Sequence, residues 1–228
     1  MHPIIKGIVA ALNSLVKPKP MPSKPLITYE QLQSITDTLN SERCRVMADL
    51  LNELCTKYGI TDKLPFQMFL ANCIQESGEF AHKEENMNYS ASRIVAVWPS
   101  RFNDIAAAQP FARNPEALSN EVYGGRMGNN QIGDGFKFKG SGFIGITGRE
   151  LYTKYATYIN KSVNEAAELM RTTDRYALDS ACWFFAILRK LIPIAKTGDF
   201  KTVCKKINGG LIGYSVREQY YKRCQQVI

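Results

Sequence analysis

Residues 65–80 read PFQMFLANCIQESGEF, and this stretch decides the fold class. Its apolar side chains recur at steps of three and four residues, which is the spacing of one face of an α-helix. Pro65 suits the first turn of a helix, and Gly78 is a typical residue just past a helix end. Glu76 falls at the edge of the apolar stripe in the last turn. The pattern therefore predicts a half-buried carboxylate beside any cleft that opens at this helix end.

Helical periodicity also dominates the sequence on both sides of this stretch. Upstream, Thr28 and Gln31 have the spacing of a capping box, ahead of an apolar face formed by Leu32, Ile35 and Leu39. Further helices are predicted at residues 44–58, 150–158, 163–171, 176–191, 200–207 and 216–227. The segment 176–191 is the most apolar of these and is expected to be the central core helix. The sequence therefore predicts a mainly α fold.

Residues 82–150 show little regular pattern, because Asn, Gly, Arg and Ser dominate there. A long irregular stretch in a compact domain is usually a functional surface rather than a linker. We therefore expect this segment to line a binding cleft. The glycine-rich loop 208–213 joins the last two predicted helices and needs unusual backbone angles.

Composition limits the classes of partner. The 228 residues carry a formal net charge of +8, with 45% hydrophobic and 22% charged residues, which is ordinary for a soluble globular protein. A basic protein favours nucleic acid, acidic lipid or an anionic cell wall. The sequence lacks an RNP box, a Cys/His finger and a long Lys/Arg stripe, so no nucleic-acid partner is expected.

The first 25 residues differ from the rest of the chain. A short apolar stretch at 4–16 precedes a run with four prolines, KPKPMPSKP at 17–25, which favours an extended basic spacer. Residues 1–25 are interpreted as an N-terminal extension and 26–228 as the catalytic domain. The extension lacks the basic start and the cleavage site of an export signal. An uncleaved extension, as a short helix lying on the domain or on a membrane surface, is favoured over an exported signal, and both alternatives stay open. The extension is also a candidate contact for an anionic outer membrane or wall.

Six cysteines occur without a CxxC pair, and only two histidines are present. A zinc site is therefore not expected, and neither is any other metal or cofactor. Free thiols are favoured for a protein made in the cytosol. Pairing of Cys204 with Cys224 across the glycine loop is the alternative in an oxidising compartment.

Carboxylates are the best candidates for chemistry. Neither histidine has a partner that would suggest a nucleophilic triad, and the glycine-rich segments lack a phosphate-loop ending. Glu76, Glu79, Glu84 and Glu85 cluster at and after one predicted helix end. Most glycosidases use two carboxylates that flank the glycosidic bond to be cleaved. On spacing alone, however, a solvated acidic helix end is the favoured interpretation of the cluster.

Several sequence motifs spread along the chain resemble those of phage endolysins in the glycoside hydrolase family 19 group. This group includes the plant-type chitinases. The resemblance covers residues 26–228 in matching order. It is carried by QESGEF at 75–80, EENMNYS at 84–90, VYGGRMGN at 122–129, GDGFKFKGSGFIGITGR at 133–149, and INGG at 207–210.

This resemblance implies a lysozyme-like, two-lobed helical fold with a cleft, and hydrolysis of β-1,4 bonds in peptidoglycan or chitin with inversion. Glu76 matches the general acid, Glu85 the general base with Glu84 as the neighbouring alternative, and Thr147 the hydroxyl that holds the attacking water. The acid must keep its proton near neutral pH, which apolar surroundings favour. An inverting site separates the two carboxyls by roughly 6.5–9.5 Å.

The resemblance also implies a set of substrate-binding residues: Tyr89, Ser90, Arg126, Asn129, Lys139, Asn208 and Arg217. The chain departs from the family pattern at four positions, where Gln75 replaces a histidine, Ser141 an arginine, Gly145 a glutamine and Leu151 an asparagine. The loss of polar groups that contact sugar weakens the case for a plain chitinase and leaves altered subsites or low activity open.

The leading hypothesis is a monomeric endolysin that is made in the host bacterial cytoplasm and acts on peptidoglycan in the periplasm or wall. A chitinase and a non-catalytic wall-binding module are the alternatives.

Overall fold

The structure is a computed structural model that describes residues 24–228, and in this range it is built from helices. The helices are α1 (Tyr29–Ile35), α2 (Ser41–Lys57), α3 (Lys63–Ser77), α4 (Ala91–Val97), α5 (Ile105–Ala108), α6 (Pro115–Tyr123), α7 (Asp134–Lys137), α8 (Arg149–Tyr158), α9 (Val163–Thr172), α10 (Asp174–Trp183), α11 (Ile192–Lys196), α12 (Phe200–Asn208) and α13 (Tyr214–Val227). Extended pairing in the described residues is limited to the isolated bridges Glu84–Ser141 and Ser141–Ile146. The predicted mainly α fold is confirmed.

Local signals set the helix boundaries much as the sequence predicts. The Thr28 hydroxyl accepts a hydrogen bond from the Gln31 amide (3.2 Å), and the Gln31 side chain accepts one from the Thr28 amide (2.9 Å), which is the predicted capping box. However, α1 ends at Ile35, so Leu39 lies outside it. Helix α3 begins two residues before Pro65, which is tolerated because the first-turn amides of a helix have no partner within the helix.

The main core surrounds α3. Every side chain of α3 from Pro65 to Ile74 is buried, and a helix that is buried on all sides lies at the centre of a fold. Phe69 packs edge-on against Phe185 at 5.3 Å between ring centroids. Burial of one such side chain contributes roughly 1.5–3 kcal/mol. The predicted helix at 176–191 is present as α10 and a π-helical turn, Phe184–Leu188, packed against this centre.

Within the segment 82–150, residues 87–123 form a second, smaller core, which the sequence pattern did not predict. Helices α4, α5 and α6 contribute to it together with the segments between them. Its buried side chains are Met87, Ala91, Ile94, Phe102, Ala108, Leu118 and Val122. These helices have only 4 to 9 residues each. They were missed because two turns or fewer show too few apolar repeats to reveal a period.

All six cysteines are free thiols and buried. Burial raises the pKa of Cys204 to about 11 and that of Cys224 to about 12. These two thiols are therefore protonated near neutral pH, and the alternative of a Cys204–Cys224 bond is not what the structure shows.

The proposed N-terminal extension lies almost wholly outside the described residues, because the structure begins at Lys24. The interpretation of residues 1–25 therefore stays a prediction. From residue 24 onward, no helix combines the length and the apolar character needed to cross a membrane.

Candidate active site

Glu76 lies in the last turn of α3 with 23% of its side chain exposed, as the helix pattern predicts. Its Oε1 contacts the guanidinium of Arg217 on α13 at 2.5 Å. Arg217 is itself 3% exposed and also donates to the Asn72 side chain at 3.1 Å. A buried guanidinium needs such partners. The setting of Glu76 thus differs from the purely apolar one that was expected, since a fixed cation holds the carboxylate in place.

The chain leaves α3 through an unusual left-handed turn. Gly78, Glu79 and Phe80 have φ angles of 57°, 58° and 62°, a region that costs non-glycine residues about 1 kcal/mol each. The side chain of Glu79 is 4% exposed and stabilises the turn. It accepts hydrogen bonds from the amides of Asp37 (2.8 Å) and Thr38 (2.7 Å), from the Thr38 hydroxyl (2.5 Å) and from the Tyr220 hydroxyl (2.9 Å).

These contacts give Glu79 a structural role. Burial by itself raises the pKa of Glu79, but the hydrogen bonds from Thr38, Asp37 and Tyr220 outweigh it and leave the pKa below its ordinary value. Glu79 therefore remains an ionised acceptor with all its bonding capacity in use. Of the four clustered glutamates, it is the one that the structure removes from the candidates for catalysis.

A second set of contacts fixes the loop that follows the turn. Arg43 on α2 donates to the Phe80 carbonyl at 2.9 Å and to Asp174 at 2.8 Å. Lys83 pairs with the same Asp174 at 3.1 Å. Helices α2 and α10 thereby fix the backbone immediately before Glu84 and Glu85. Because this backbone is fixed, the side chains of the two glutamates are positioned although they lie in an irregular segment.

Glu85 is held from three directions. The Tyr123 hydroxyl lies 2.8 Å from both carboxylate oxygens, and the Gly140 amide donates to Oε2 at 3.3 Å. The Glu85 amide donates to the Gly140 carbonyl at 2.8 Å. Burial, followed by the nearby charge of Glu85, raises the pKa of Tyr123, so the phenol stays protonated and remains a donor. Glu85 is therefore an oriented, half-buried carboxylate.

Glu84 points to a different partner. Its Oε2 pairs with Lys139 Nζ at 2.8 Å. Only 7% of the Lys139 side chain is exposed, and its ammonium lies 4.1 Å from the ring centre of Phe136. The adjacent glutamates are thus separated by their contacts. Glu84 ties the segment to Lys139, while Glu85 faces Tyr123, which favours Glu85 over Glu84 as the candidate base.

Thr147 lies on the same side of Gly140 as Glu85. A side-chain carbon placed on Gly140 would be 3.3 Å from Glu85 Oε2 and 3.4 Å from Thr147 Oγ1. The Thr147 hydroxyl donates to the Gly145 carbonyl at 3.0 Å, so its oxygen is held while a lone pair stays available. The absence of a side chain at Gly140 leaves room between a carboxylate and a hydroxyl.

The predicted substrate-binding residues divide into two groups. Asn129 is 1% exposed and accepts from the Arg149 amide while donating to the Tyr123 carbonyl at 3.0 Å. Together with Lys139 and Arg217, it supports the residues around the two carboxylates rather than facing solvent.

The other predicted binding residues are more accessible. Ser90 caps α4 by accepting from the Arg93 amide at 3.3 Å, and Tyr89 packs edge-on against Trp98. Arg126 is exposed and donates to the backbone at the end of α6. Asn208 is exposed at the end of α12 and donates to the Ile212 carbonyl at 3.3 Å. The structure does not place these side chains in contact with Glu76 or Glu85.

Tyr123 was missed in the analysis of the sequence as a partner of Glu85. The sequence did contain a signal: Tyr123 directly precedes Gly124 and Gly125, and a glycine pair marks a break in the helix. A side chain at such a break can point toward a neighbouring segment rather than along the helix surface. The structural role of Glu79 was also missed, because all four of its hydrogen-bond donors come from residues that are 41 or more positions away.

The arrangement supplies two carboxylates in different settings. Glu76 belongs to a helix of the main core, whereas Glu85 lies in the segment that leads to Met87 and the smaller core. One carboxylate is paired with a guanidinium and the other is held by a phenol beside a threonine hydroxyl. Within residues 24–228, no group of three His, Cys, Asp or Glu side chains is arranged to hold a metal ion. Such a pair suits acid–base transfer of protons to and from a bound molecule and water.

The chain is similar to a curated protein of Haemophilus influenzae named "Glycosyl hydrolase family 19 domain-containing protein". The two are 32% identical over 168 residues, which cover 73% of this chain and 81% of the relative. No family model matches the chain.

Proposed function

The chain belongs to glycosyl hydrolase family 19, and on that premise we propose that this glycoside hydrolase cleaves β-1,4 bonds in the glycan strands of bacterial peptidoglycan. The observation that carries the proposal is the pair of carboxylates held in different ways, Glu76 on Arg217 and Glu85 on Tyr123. A two-carboxylate glycosidase needs two such groups with different roles.

The proposed reaction assigns one proton transfer to each carboxylate. In this scheme Glu76 has to be protonated when the substrate binds, and it gives that proton to the glycosidic oxygen as the bond between that oxygen and the anomeric carbon breaks. A water molecule forms the new bond to the anomeric carbon from the opposite face, and its proton passes to Glu85. Thr147 orients this water through the lone pair of its hydroxyl. Because the water attacks opposite to the leaving group, the product has the inverted configuration.

Arg217 and Tyr123 have positioning roles in this scheme. Arg217 fixes the Glu76 side chain at the end of α3, and its contact with Asn72 prevents it from following a moving carboxylate. Tyr123 restricts rotation of the Glu85 carboxylate by bonding to both oxygens. Such restriction keeps reacting groups near the geometry of the transition state.

Three observations support peptidoglycan over chitin as the substrate. The motif YGGRMGN at 123–129 resembles the corresponding motif of phage endolysins. The net charge of +8 suits an anionic wall. Ser141 and Gly145 stand where the chitinase-like pattern has larger polar residues. We propose accordingly that the protein acts as an endolysin, is made in the bacterial cytoplasm and reaches the wall to lyse the cell.

The test compares the wild type with Glu76→Gln, Glu85→Gln and Glu84→Gln on purified peptidoglycan and on chitin oligomers. We expect the Glu76 and Glu85 variants to lose about 10²–10⁴ in kcat, while the Glu84 variant keeps substantial activity. Mass spectrometry of the released reducing ends identifies the sugar whose bond is cut. Unchanged hydrolysis by Glu76→Gln, or faster hydrolysis of chitin than of peptidoglycan, would contradict the proposal.

A wall-binding module without catalysis is the second candidate. The replacement of polar residues by Gln75, Ser141 and Gly145 favours it, because each change alters groups expected to contact sugar or the acid. Co-sedimentation with peptidoglycan by wild type and Glu76→Gln alike, with no new reducing ends from either, would support this candidate instead.

A further inference from the structure

Residues 189–206 carry an unusual share of the positive charge of this protein. Six cations and a single acid, Asp199, occur in this stretch. The cations are Arg189, Lys190, Lys196, Lys201, Lys205 and Lys206. All six are exposed. Three of them lie on α12, whose apolar residues Phe200, Val203, Cys204 and Ile207 face the core.

These cations differ from the others in the described part of the chain. Most lysines and arginines elsewhere in residues 24–228 form an ion pair with a carboxylate. In this stretch only Lys196 does so, with Asp62 at 2.8 Å. The carboxylate of Asp199 caps α12 by accepting from the Thr202 amide at 2.9 Å, and as a single negative charge it leaves the stretch with a net positive charge.

Among the described residues, the three lysines of α12 have no carboxylate partner, although Lys205 and Lys206 in the last turn interact favourably with the helix dipole. Lys201 and Lys205 are four residues apart on one helix, and like charges at that spacing destabilise a helix by a few tenths of a kcal/mol. Their side chains are exposed and make no hydrogen bond to the rest of the described chain. A face of this kind is expected either to be solvated or to meet a negatively charged partner.

The position of α12 favours the second possibility. Helices α11 and α12 both pack against α3, the helix that carries Glu76. Helix α12 ends at Asn208, and the loop that follows reaches Gly213, which lies against the side chain of Gln75 (3.3 Å from a carbon placed on Gly213). Arg217 follows in the next turn and contacts Glu76. The last turn of α12, which carries Lys205 and Lys206, therefore leads directly into the loop that contacts Gln75, the residue before Glu76.

We propose that Lys201, Lys205 and Lys206 form a docking surface for the carboxylates of the peptide stems on peptidoglycan. This proposal rests on the proposed function and adds a determinant of substrate class to it. Stem carboxylates are attached to the same strand that enters the site, so they are carried past the basic helix whose following loop contacts Gln75. Chitin oligomers carry no such charge. The surface thus selects peptide-bearing glycan over neutral glycan.

The experiment uses the full-length protein, the double variant Lys201→Gln/Lys205→Gln, and a matched control, Lys154→Gln/Lys161→Gln. The control removes the same charge from Lys154, which is exposed, and from the half-buried Lys161, both of which form i,i+4 ion pairs on or just after α8. Binding is measured by co-sedimentation with peptidoglycan free of wall phosphate polymers, and with glycan strands from which the peptides have been enzymatically removed. Hydrolysis of peptidoglycan and of a chitin oligomer is measured in parallel.

We expect the α12 variant to bind peptide-bearing peptidoglycan about threefold more weakly at low salt than the wild type, from two exposed ion pairs. The difference should disappear near 0.5 M salt, where charges are screened over about 4–5 Å. The control variant, binding to peptide-free strands and turnover of the chitin oligomer should change little.

The outcomes separate this proposal from the proposed function. Equal weakening by the α12 and control variants, or undiminished binding of wild type to peptide-free strands, would overturn the docking surface. Weakening that occurs only on walls still carrying phosphate polymers would overturn it in favour of phosphate as the ligand. Because binding is measured without hydrolysis, an inactive protein would refute the proposed function and leave the binding result interpretable.

Discussion

Replacement of Glu79 by glutamine is expected to destabilise the fold strongly without removing a catalytic group. The carboxylate is 4% exposed and accepts four hydrogen bonds at 2.5–2.9 Å. Both oxygens are used, Oε1 by Asp37 and Tyr220 and Oε2 by the amide and hydroxyl of Thr38. Glutamine can offer one oxygen in this place, and its amino group must then face two donors.

The expected loss follows from this count. Hydrogen bonds to a charged acceptor contribute roughly 1.5–3 kcal/mol each, and an unsatisfied buried group costs about 1–3 kcal/mol. The Thr38 and Tyr220 hydroxyls can rotate and recover part of the loss. We therefore expect Glu79→Gln to lower the free energy of unfolding by about 2–4 kcal/mol. For a chain of this size that corresponds to a decrease in Tm on the order of 10 °C.

The pH dependence has a definite sign. The pKa of Glu79 is lower in the folded state than its ordinary value, so its contribution is complete above the unfolded pKa and is lost as pH falls through the folded pKa. The difference in unfolding free energy between wild type and variant should accordingly be largest near pH 7. It should shrink steadily below about pH 4.5, toward the lower folded pKa.

Urea denaturation followed by circular dichroism at several pH values measures both quantities. Glu150→Gln is the control, because Glu150 is exposed and forms only an i,i+4 pair with Lys154, so its loss should cost at most about 0.5 kcal/mol. A Glu79 variant as stable as this control, or a stability difference that grows on acidification, would refute the structural role assigned to Glu79.

Three further predictions concern other parts of the molecule. Tyr123→Phe removes both hydrogen bonds to Glu85 and should lower kcat on peptidoglycan about tenfold with little change in KM, whereas equal kcat values would exclude Tyr123 as a positioning residue. Gly142→Ala should lower the free energy of unfolding, measured by urea denaturation, by about 2 kcal/mol or more, because φ is +76° and the added carbon would lie 2.5 Å from the Ser180 hydroxyl. Gly125→Ala is the control: φ is +69° there and the space is open, so the loss should be about 1 kcal/mol. The six buried thiols should not react with a thiol reagent in the native protein at pH 8 and should all react in denaturant, so rapid native labelling would contradict the described burial.

Much of the fold could be predicted because its signals are local. The capping box at Thr28 and the apolar periodicity of residues 65–74 involve partners within four positions, and each was found where predicted. The smaller core around Met87 and Leu118 could not be predicted in this way. Its helices are too short to show a period, and they are stabilised only when they pack together.

The candidate site shows the same division. The position of Glu76 at the edge of a helix followed from the sequence, and the resemblance to a family singled out Glu85. The sequence could not show that Lys139 would be buried and paired with Glu84, since that requires two segments 55 positions apart to form a bridge. Nor could it show that Arg217 would contact Glu76, because α13 has to pack along α3 first.

By itself, then, the amino-acid order of this protein determined its helices and the chemical types available at the end of α3, because turn formation and capping depend on neighbours along the chain. Only the tertiary structure decided which of the four clustered glutamates is buried and fully hydrogen-bonded, which pairs with a lysine, which pairs with an arginine and which accepts from a tyrosine. The physical reason is that the state of a carboxylate depends on the donors and cations brought within about 3 Å of it, and in Glu79, Glu84 and Glu85 those partners come from distant parts of the chain.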